Sequence, residues 1–230
     1  MSTLLIGASG LLGRHLRLSG DVFMPSSSEL DITNKYSILK YLHTHHCPKK
    51  VVLCAAYTDV AKANAYKDLA FSTNVIGVCN VISALEEICL DGPILTYISS
   101  DYVFNGEYGQ YKISDPIDPV KNNYYATTKA LGECSARSYK NSIIIRTSFC
   151  RSDIWPHVAA FEDQFTSRDT VDIIAPMISD VIKNNRPGIF HVGTERKSVF
   201  SLAKKINANI KPMSRLEIKN VNIPYDTSLI

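Results

Sequence analysis

Three groups of residues have the types and spacing of a site that binds a coenzyme and moves a proton. Tyr125-Ala-Thr-Thr-Lys129 sets a phenol and an ammonium four residues apart, on one face of a helix. A neighbouring ammonium favours the tyrosinate, so Lys129 is expected to lower the Tyr125 phenol toward a useful range. Alone, the pattern arises readily in a chain with twelve tyrosines and reads equally as a solvated helical face. Upstream, Ser99-Ser100 ends an apolar run, where a hydroxyl can hydrogen-bond a carbonyl oxygen. Near the N-terminus, Gly7-Ala-Ser-Gly10-Leu-Leu-Gly13 follows another apolar run. Glycines there let the chain turn tightly and let a pyrophosphate approach backbone amides; the plainer reading is a turn that packs helix on strand. In chain order, the glycine loop, the serine pair and then Tyr-x-x-x-Lys together point to a dinucleotide-dependent oxidoreductase with Ser100, Tyr125 and Lys129 at its reaction centre.

The elements that must carry these residues alternate. Strands are expected at Thr3 to Ile6, Asp21 to Met24, Val51 to Cys54, Ile94 to Ile98, Ser142 to Arg146 and Gly188 to Val192. Helical periodicity covers Leu11 to Leu18, Asn34 to His46 (with Thr33 as cap), Ala61 to Cys89, Asn122 to Tyr139, Val171 to Asn184 and Ser198 to Ile206. Such alternation predicts an α/β fold, a Rossmann-like doubly wound parallel sheet with a small C-terminal substrate-binding lobe. Residues 1–150 form the coenzyme domain with its triad. Residues 151–230 form the lobe, interleaved with the sheet through the strand at 188–192. The tail beyond Lys211 shows little periodicity.

Coenzyme choice is usually set at the end of the second strand, where an acidic side chain bonds the ribose of NAD. Val22-Phe-Met-Pro-Ser26-Ser-Ser carries no carboxylate, and Arg14 can approach a 2′-phosphate. NADP(H) is therefore preferred, with NAD(H) open. Asp31 falls beyond that strand.

Leu30-Asp-Ile-Thr33, Cys54-Ala-Ala-Tyr-Thr-Asp-Val60, Ser99-Ser-Asp-Tyr-Val-Phe-Asn-Gly106, Tyr125-Ala-Thr-Thr-Lys-Ala-Leu-Gly-Glu133 and Arg146-Thr-Ser148 resemble the signature blocks of the dTDP-4-dehydrorhamnose reductase family, within the extended short-chain dehydrogenase/reductases. The resemblance implies NADPH-dependent reduction of the 4-keto group of a dTDP- or UDP-linked 4-keto-6-deoxyhexose, giving a rhamnose-type nucleotide sugar for glycan synthesis. Ser100, where the family usually has threonine, would bond the carbonyl oxygen. Tyr125 would donate the proton, and Lys129 would hold the nicotinamide ribose. Gly7, Gly10, Leu11, Leu12 and Gly13 would meet the pyrophosphate, Asp31 and Ile32 the adenine, and Ala55, Ala56 and Tyr57 the middle of the coenzyme. Asp101 and Phe149 would face the sugar nucleotide, Phe149 in place of a tryptophan.

Dehydratases of this kind carry Asp-Glu after the strand-end hydroxyl. Asp101-Tyr102 argues against that activity but leaves open an epimerase or a combined epimerase and reductase. A reading of another class is a non-catalytic NADP-binding regulatory subunit, resembling that of methionine adenosyltransferase. The C-terminal part is short for the family, and Pro224-Tyr-Asp-Thr-Ser-Leu229 stands near where an Arg-Pro pair is expected. A homodimer is compatible with the resemblance.

The remaining features narrow the setting. The 230 residues are 45% hydrophobic and 20% charged with a net charge of +3, a globular balance without a basic block for nucleic acid. Uninterrupted apolar stretches stay under ten residues, so no membrane span is expected. The N-terminus lacks a basic secretory leader, which predicts a cytoplasmic protein with its six cysteines reduced. His43, His45, His46 and Cys47 cluster at a helix end, where histidines are comfortable without metal, so no metal site is expected. Substrate stacking and plain packing are both open to Trp155.

Overall fold

In the computed structural model, which describes residues 2–90, 92–218 and 222–230, short β-branched and leucine-rich runs form the central sheet. Met1, at the head of the N-terminal segment, and residues 219–221 of the tail lie outside the described residues. The strands are β1 (Thr3–Ile6), β2 (Val22–Phe23), β3 (Lys50–Leu53), β4 (Ile94–Ile98), β5 (Ser142–Thr147) and β6 (Gly188–Val192). Their order is β2-β1-β3-β4-β5-β6, and every neighbouring pair is parallel.

Helices cover both faces: α1 (Lys35–His45), α2 (Lys67–Phe71), α3 (Gly77–Ile88), α4 (Tyr124–Ser138) and α5 (Val171–Asn184). The period of two along the strands divides the core cleanly. Leu4, Ile6, Val51, Leu53 and Leu95 pack with Ile38 and Leu42 of α1 and Val78, Val81 and Leu85 of α3. Their alternates Leu5, Val52, Ile143 and Ile145 pack with Ile174, Ile178 and Ile182 of α5. Burial on both faces is why these strands read as nearly unbroken apolar runs. Strand order reverses between β1 and β3, which opens a crevice at their carboxyl ends.

Past β5 the chain divides its residues. α5 and β6 return to the sheet. The rest builds a lobe on Ala159–Phe161 beside Lys211–Met213, Phe165–Thr166 beside Lys197–Ser198, and helix α6 (Val199–Ile206). Trp155 packs there with Ala160, Val199, Ala203 and Ile210, and its indole N–H donates to the Ala159 carbonyl at 3.4 Å.

Several expectations are corrected. The helix from Leu11 to Leu18 reduces to successive turns: the Leu16 amide still donates to Leu12 O at 3.1 Å, but the Arg17 amide donates to Ser179 Oγ of α5 at 3.0 Å, which ends the helical ladder. The cap of α1 is Asn34, which accepts from the Tyr36 amide at 3.0 Å, while Thr33 is drawn back to Asp31. The run from Lys67 to Ile88 is helical throughout, with a wider π-type turn at Ser72–Ile76. An 18-residue window of it, with a mean hydropathy of 1.4, is long and apolar enough to cross a membrane, but half of that window is buried and the run packs on α1 and α4 as a core helix. Cys47 and Cys89 form a disulfide rather than remaining reduced, because the ends of α1 and α3 lie side by side with Cα atoms 5.6 Å apart. The tail is ordered and buried at Asp226, Thr227, Ser228 and Leu229, where its backbone pairs with Tyr111.

Candidate active site

A cleft of about 930 Å³ opens at the carboxyl ends of β1, β3, β4 and β5. One end is the glycine turn. Gly7 has φ +90°, and a Cβ there would stand 2.5 Å from the Ala55 amide nitrogen. The Gly7 carbonyl accepts from the Gly10 amide at 3.1 Å, and a Cβ on Gly13 would strike that same carbonyl. Only glycines let the loop close on itself and on the residues after β3. The hollow this leaves is lined by Gly10, Leu11 and Leu12 on one side and Ala55 and Ala56 on the other, with Asp31 and Ile32 further along. Arg14 is exposed and Tyr57 is half-buried; neither lines the cleft. The Tyr57 amide and carbonyl are both held by Asn74, from the wide turn before α3, at 2.8 and 3.0 Å. Asn74 also donates to Thr128 of α4 at 3.0 Å, so one buried amide ties the coenzyme wall to the tyrosine helix.

At the other end, Ser100 follows β4 and caps a short 3-10 turn, Asp101–Val103. Its hydroxyl accepts from the Tyr102 amide and donates to Asp101 Oδ1, both at 3.2 Å. Asp101 Oδ2 accepts from Thr227 of the tail at 2.7 Å. Burial raises the Asp101 pKa against the pull of Arg168 and of hydrogen bonds from Thr227 and Ser100. Helix α4 starts at Asn123, whose side chain accepts from the Ala126 amide at 3.0 Å. This cap fixes Tyr125 in the first turn and Lys129 one turn on, both on the cleft wall with Ser100. Phe149, half-buried just past β5, supplies an apolar wall.

The electrostatics differ from expectation. Burial pushes the Tyr125 phenol up to about 12; a hydrogen bond with Ser100 and the charge of Arg168 lower it, while Asp101 and Tyr102 raise it. The Lys129 ammonium donates to the Ile98 carbonyl at 2.7 Å and sits 4.3 Å from the Tyr97 ring centroid. Burial lowers Lys129 to about 7 despite Glu133 and Cys54. In the unfolded chain Lys129 holds its proton to higher pH, so between those two pKa values folding releases it and stability rises with pH. Wild type should accordingly gain on Lys129→Met as pH rises from about 7 to 10, and the gain should be gone once pH has fallen back to 7, below which the difference between the two stays constant. Urea unfolding of both proteins across that range checks it.

Below Lys129 lies a closed polar group. Glu133 accepts from Arg146 Nη2 at 2.7 Å and from Ser99 Oγ at 2.6 Å, with carboxylate and guanidinium both buried. The Arg146 guanidinium also lies 3.4 Å from His191 Nε2 and faces the Phe104 ring. Sequence reasoning missed the joint role of Glu133 and Arg146, although both stand inside the quoted blocks. It missed Arg168 altogether: this residue lines the cleft, and its Nε donates to Ser148 Oγ at 2.8 Å.

The doubly wound parallel sheet, the glycine hollow at its switch point and the serine, tyrosine and lysine on one wall define a Rossmann-like protein of the short-chain dehydrogenase/reductase class. Residues 1–154 match the RmlD substrate binding domain, and the chain belongs to that family. It is 37% identical over 153 residues to the spore coat polysaccharide biosynthesis protein SpsK of Bacillus subtilis, covering 64% of this chain and 52% of that one. It is 30% identical over 154 residues to a dTDP-4-dehydrorhamnose reductase of Mycobacterium tuberculosis, covering 62% and 48%. The chain thus spans about half the length of these curated relatives. The dTDP-4-dehydrorhamnose reductase of Bacillus anthracis, solved in complex with NADP, superposes with a TM-score of 0.87 at 30% identity, over 100% of this chain and 90% of that one.

Proposed function

We propose that this protein reduces the 4-keto group of a dTDP- or UDP-linked 4-keto-6-deoxyhexose with NADP(H), yielding a rhamnose-type nucleotide sugar. The observation that carries the reading is the placement of Ser100, Tyr125 and Lys129 on the wall of the cleft that begins at the glycine hollow. That hollow, which a Cβ would fill at Gly7 and Gly13, fits a pyrophosphate. Gly10, Leu11 and Leu12 would hold it, Asp31 and Ile32 the adenine end, Ala55 and Ala56 the middle, and Lys129 the nicotinamide ribose. The NADP in the Bacillus anthracis relative supports NADP(H), as does the absence of a carboxylate from residues 22–28. When bound, the coenzyme supplies the hydride.

The chain's own residues do the rest. Ser100 hydrogen-bonds the carbonyl oxygen and fixes its position as negative charge develops there. A phenol with a pKa of about 12 keeps its proton across the neutral range, so Tyr125 arrives charged with the proton the new alcohol requires. Asp101 and Phe149 border the sugar, and the lobe beyond residue 150 closes over the nucleotide.

The test offers UDP- and dTDP-4-keto-6-deoxyglucose and their 2-acetamido counterparts, following NADPH and NADH absorbance. Coenzyme should be consumed only with a keto sugar, and faster from NADPH. No consumption with any of them, together with co-purification of a larger enzyme, would favour the regulatory-subunit reading. Product stereochemistry separates a plain reductase from a combined epimerase and reductase.

A further inference from the structure

Arg168 stands in the cleft without an ion-pair partner: no carboxylate oxygen among the described residues lies within ion-pair distance of it. The two acidic neighbours are committed elsewhere: Asp101 to Thr227 and Ser100, and Asp169 to Lys197 at 2.7 Å, Thr194 and the Thr170 amide. Asp101 acts on the guanidinium through its charge without pairing with it, and the group that hydrogen-bonds it is neutral. Ser148 takes its Nε, and the Tyr102 phenol beside it is shifted by the guanidinium's charge. The backbone beneath is fixed as well, since the Arg168 amide donates to Thr166 Oγ1 at 3.0 Å and its carbonyl accepts from Lys197 at 3.3 Å. A second observation lies on the same wall. Thr147, at the end of β5, is 3% exposed, lines the cleft, and its hydroxyl has no partner. A partly desolvated cation and an unsatisfied hydroxyl together describe a surface completed by a ligand.

Position says which ligand. Ser148 follows β5, which is three strands from β1 in the order β1-β3-β4-β5. At about 4.8 Å per strand, Arg168 is anchored roughly 14 Å across the sheet from the glycine hollow, beyond an arginine's reach of a pyrophosphate held there. It is close to the proton donor instead, since Tyr102, which it contacts, packs edge-on against Tyr125 with ring centroids 6.2 Å apart.

We propose that Arg168 is the anion-binding residue on the substrate side of the cleft, taking an oxyanion (phosphoryl or carboxylate) carried by the molecule whose carbonyl lies at Ser100 and Tyr125. This rests on the reductase reading for the pose of the substrate, not for the existence of the anion site. A diphosphate-linked sugar and a hexuronate present the same chemistry to a guanidinium, which binds either in two-pronged fashion.

The test is equilibrium binding to protein saturated with NADP+, using dTDP, UDP, inorganic pyrophosphate and glucuronate as separate probes. Wild type should bind either the phosphate probes or glucuronate. Arg168→Met should weaken that binding roughly a hundredfold with NADP+ affinity unchanged, and Arg168→Lys should recover only part of it. Unchanged NADP+ binding also shows that the variant has folded; should Arg168→Met not fold, Arg168→Lys carries the comparison alone. Equal binding by wild type and variants, no binding of any probe by wild type, or a fall in NADP+ affinity instead would each overturn the proposal. Anion binding through Arg168 in a protein that reduces no keto sugar would defeat the reductase reading and leave this one standing.

Discussion

Tyr125→Phe is expected to lower turnover of the keto sugar by about two to four orders of magnitude, with NADP(H) affinity unchanged. The substitution removes one hydroxyl and nothing else of consequence. The ring keeps its edge-on contact with Tyr102, and the cap at Asn123 that sets the first turn of α4 does not involve the side chain. Ser100 remains to orient the carbonyl, so part of the electrostatic stabilisation survives. The proton has no second source of matching position: Asp101 gives both oxygens to neighbours, and the Lys129 ammonium is turned to the Ile98 carbonyl. Steady-state turnover with NADPH, alongside coenzyme titration of the same variant, separates the chemical step from binding. Turnover equal to wild type would remove Tyr125 from the role of acid.

The prediction concerns residues that were legible from the start, and the reason is physical. A buried parallel sheet must be written in apolar runs, and a loop that closes on itself must be written in glycine, so β1 through β6 and the turn at Gly7 show in the linear sequence. What stayed hidden depends on neighbours far along the chain. Nothing near Arg17 announces that Ser179 takes its amide and ends a helix. The pairing of Cys47 with Cys89 depends on how α1 lies beside α3. Arg168 sits in a stretch with neither period, and its meaning comes from Ser148 and Tyr102, which reach it only after the lobe folds back. Asn34 and Thr33 show the finer limit, since both can cap a helix and the choice turns on which one Asp31 engages.

Arg146→Met should cost about 3–5 kcal/mol of unfolding free energy, a large share of what an ordinary domain has. The penalty comes less from the lost pair than from what remains. Glu133 is fully buried, and without Arg146 its carboxylate keeps only the Ser99 hydroxyl among its present donors. Replacing both partners with apolar side chains removes that stranded charge, so Glu133→Leu combined with Arg146→Met should be less destabilised than Arg146→Met alone. Urea unfolding of the two singles and the double, read as a cycle, isolates the coupling. The site should register the same damage. Ser99 adjoins Ser100, and Glu133 stands one turn beyond Lys129 on α4, so the pair is what holds the end of β4 against the helix that presents the proton donor. Turnover should therefore fall in Arg146→Met even under conditions where it is folded, and recover in part in the double variant. If the double is as unstable as the single, the apolar pair has failed to fill the space under Phe104 and His191, and packing rather than charge governs that layer of the fold.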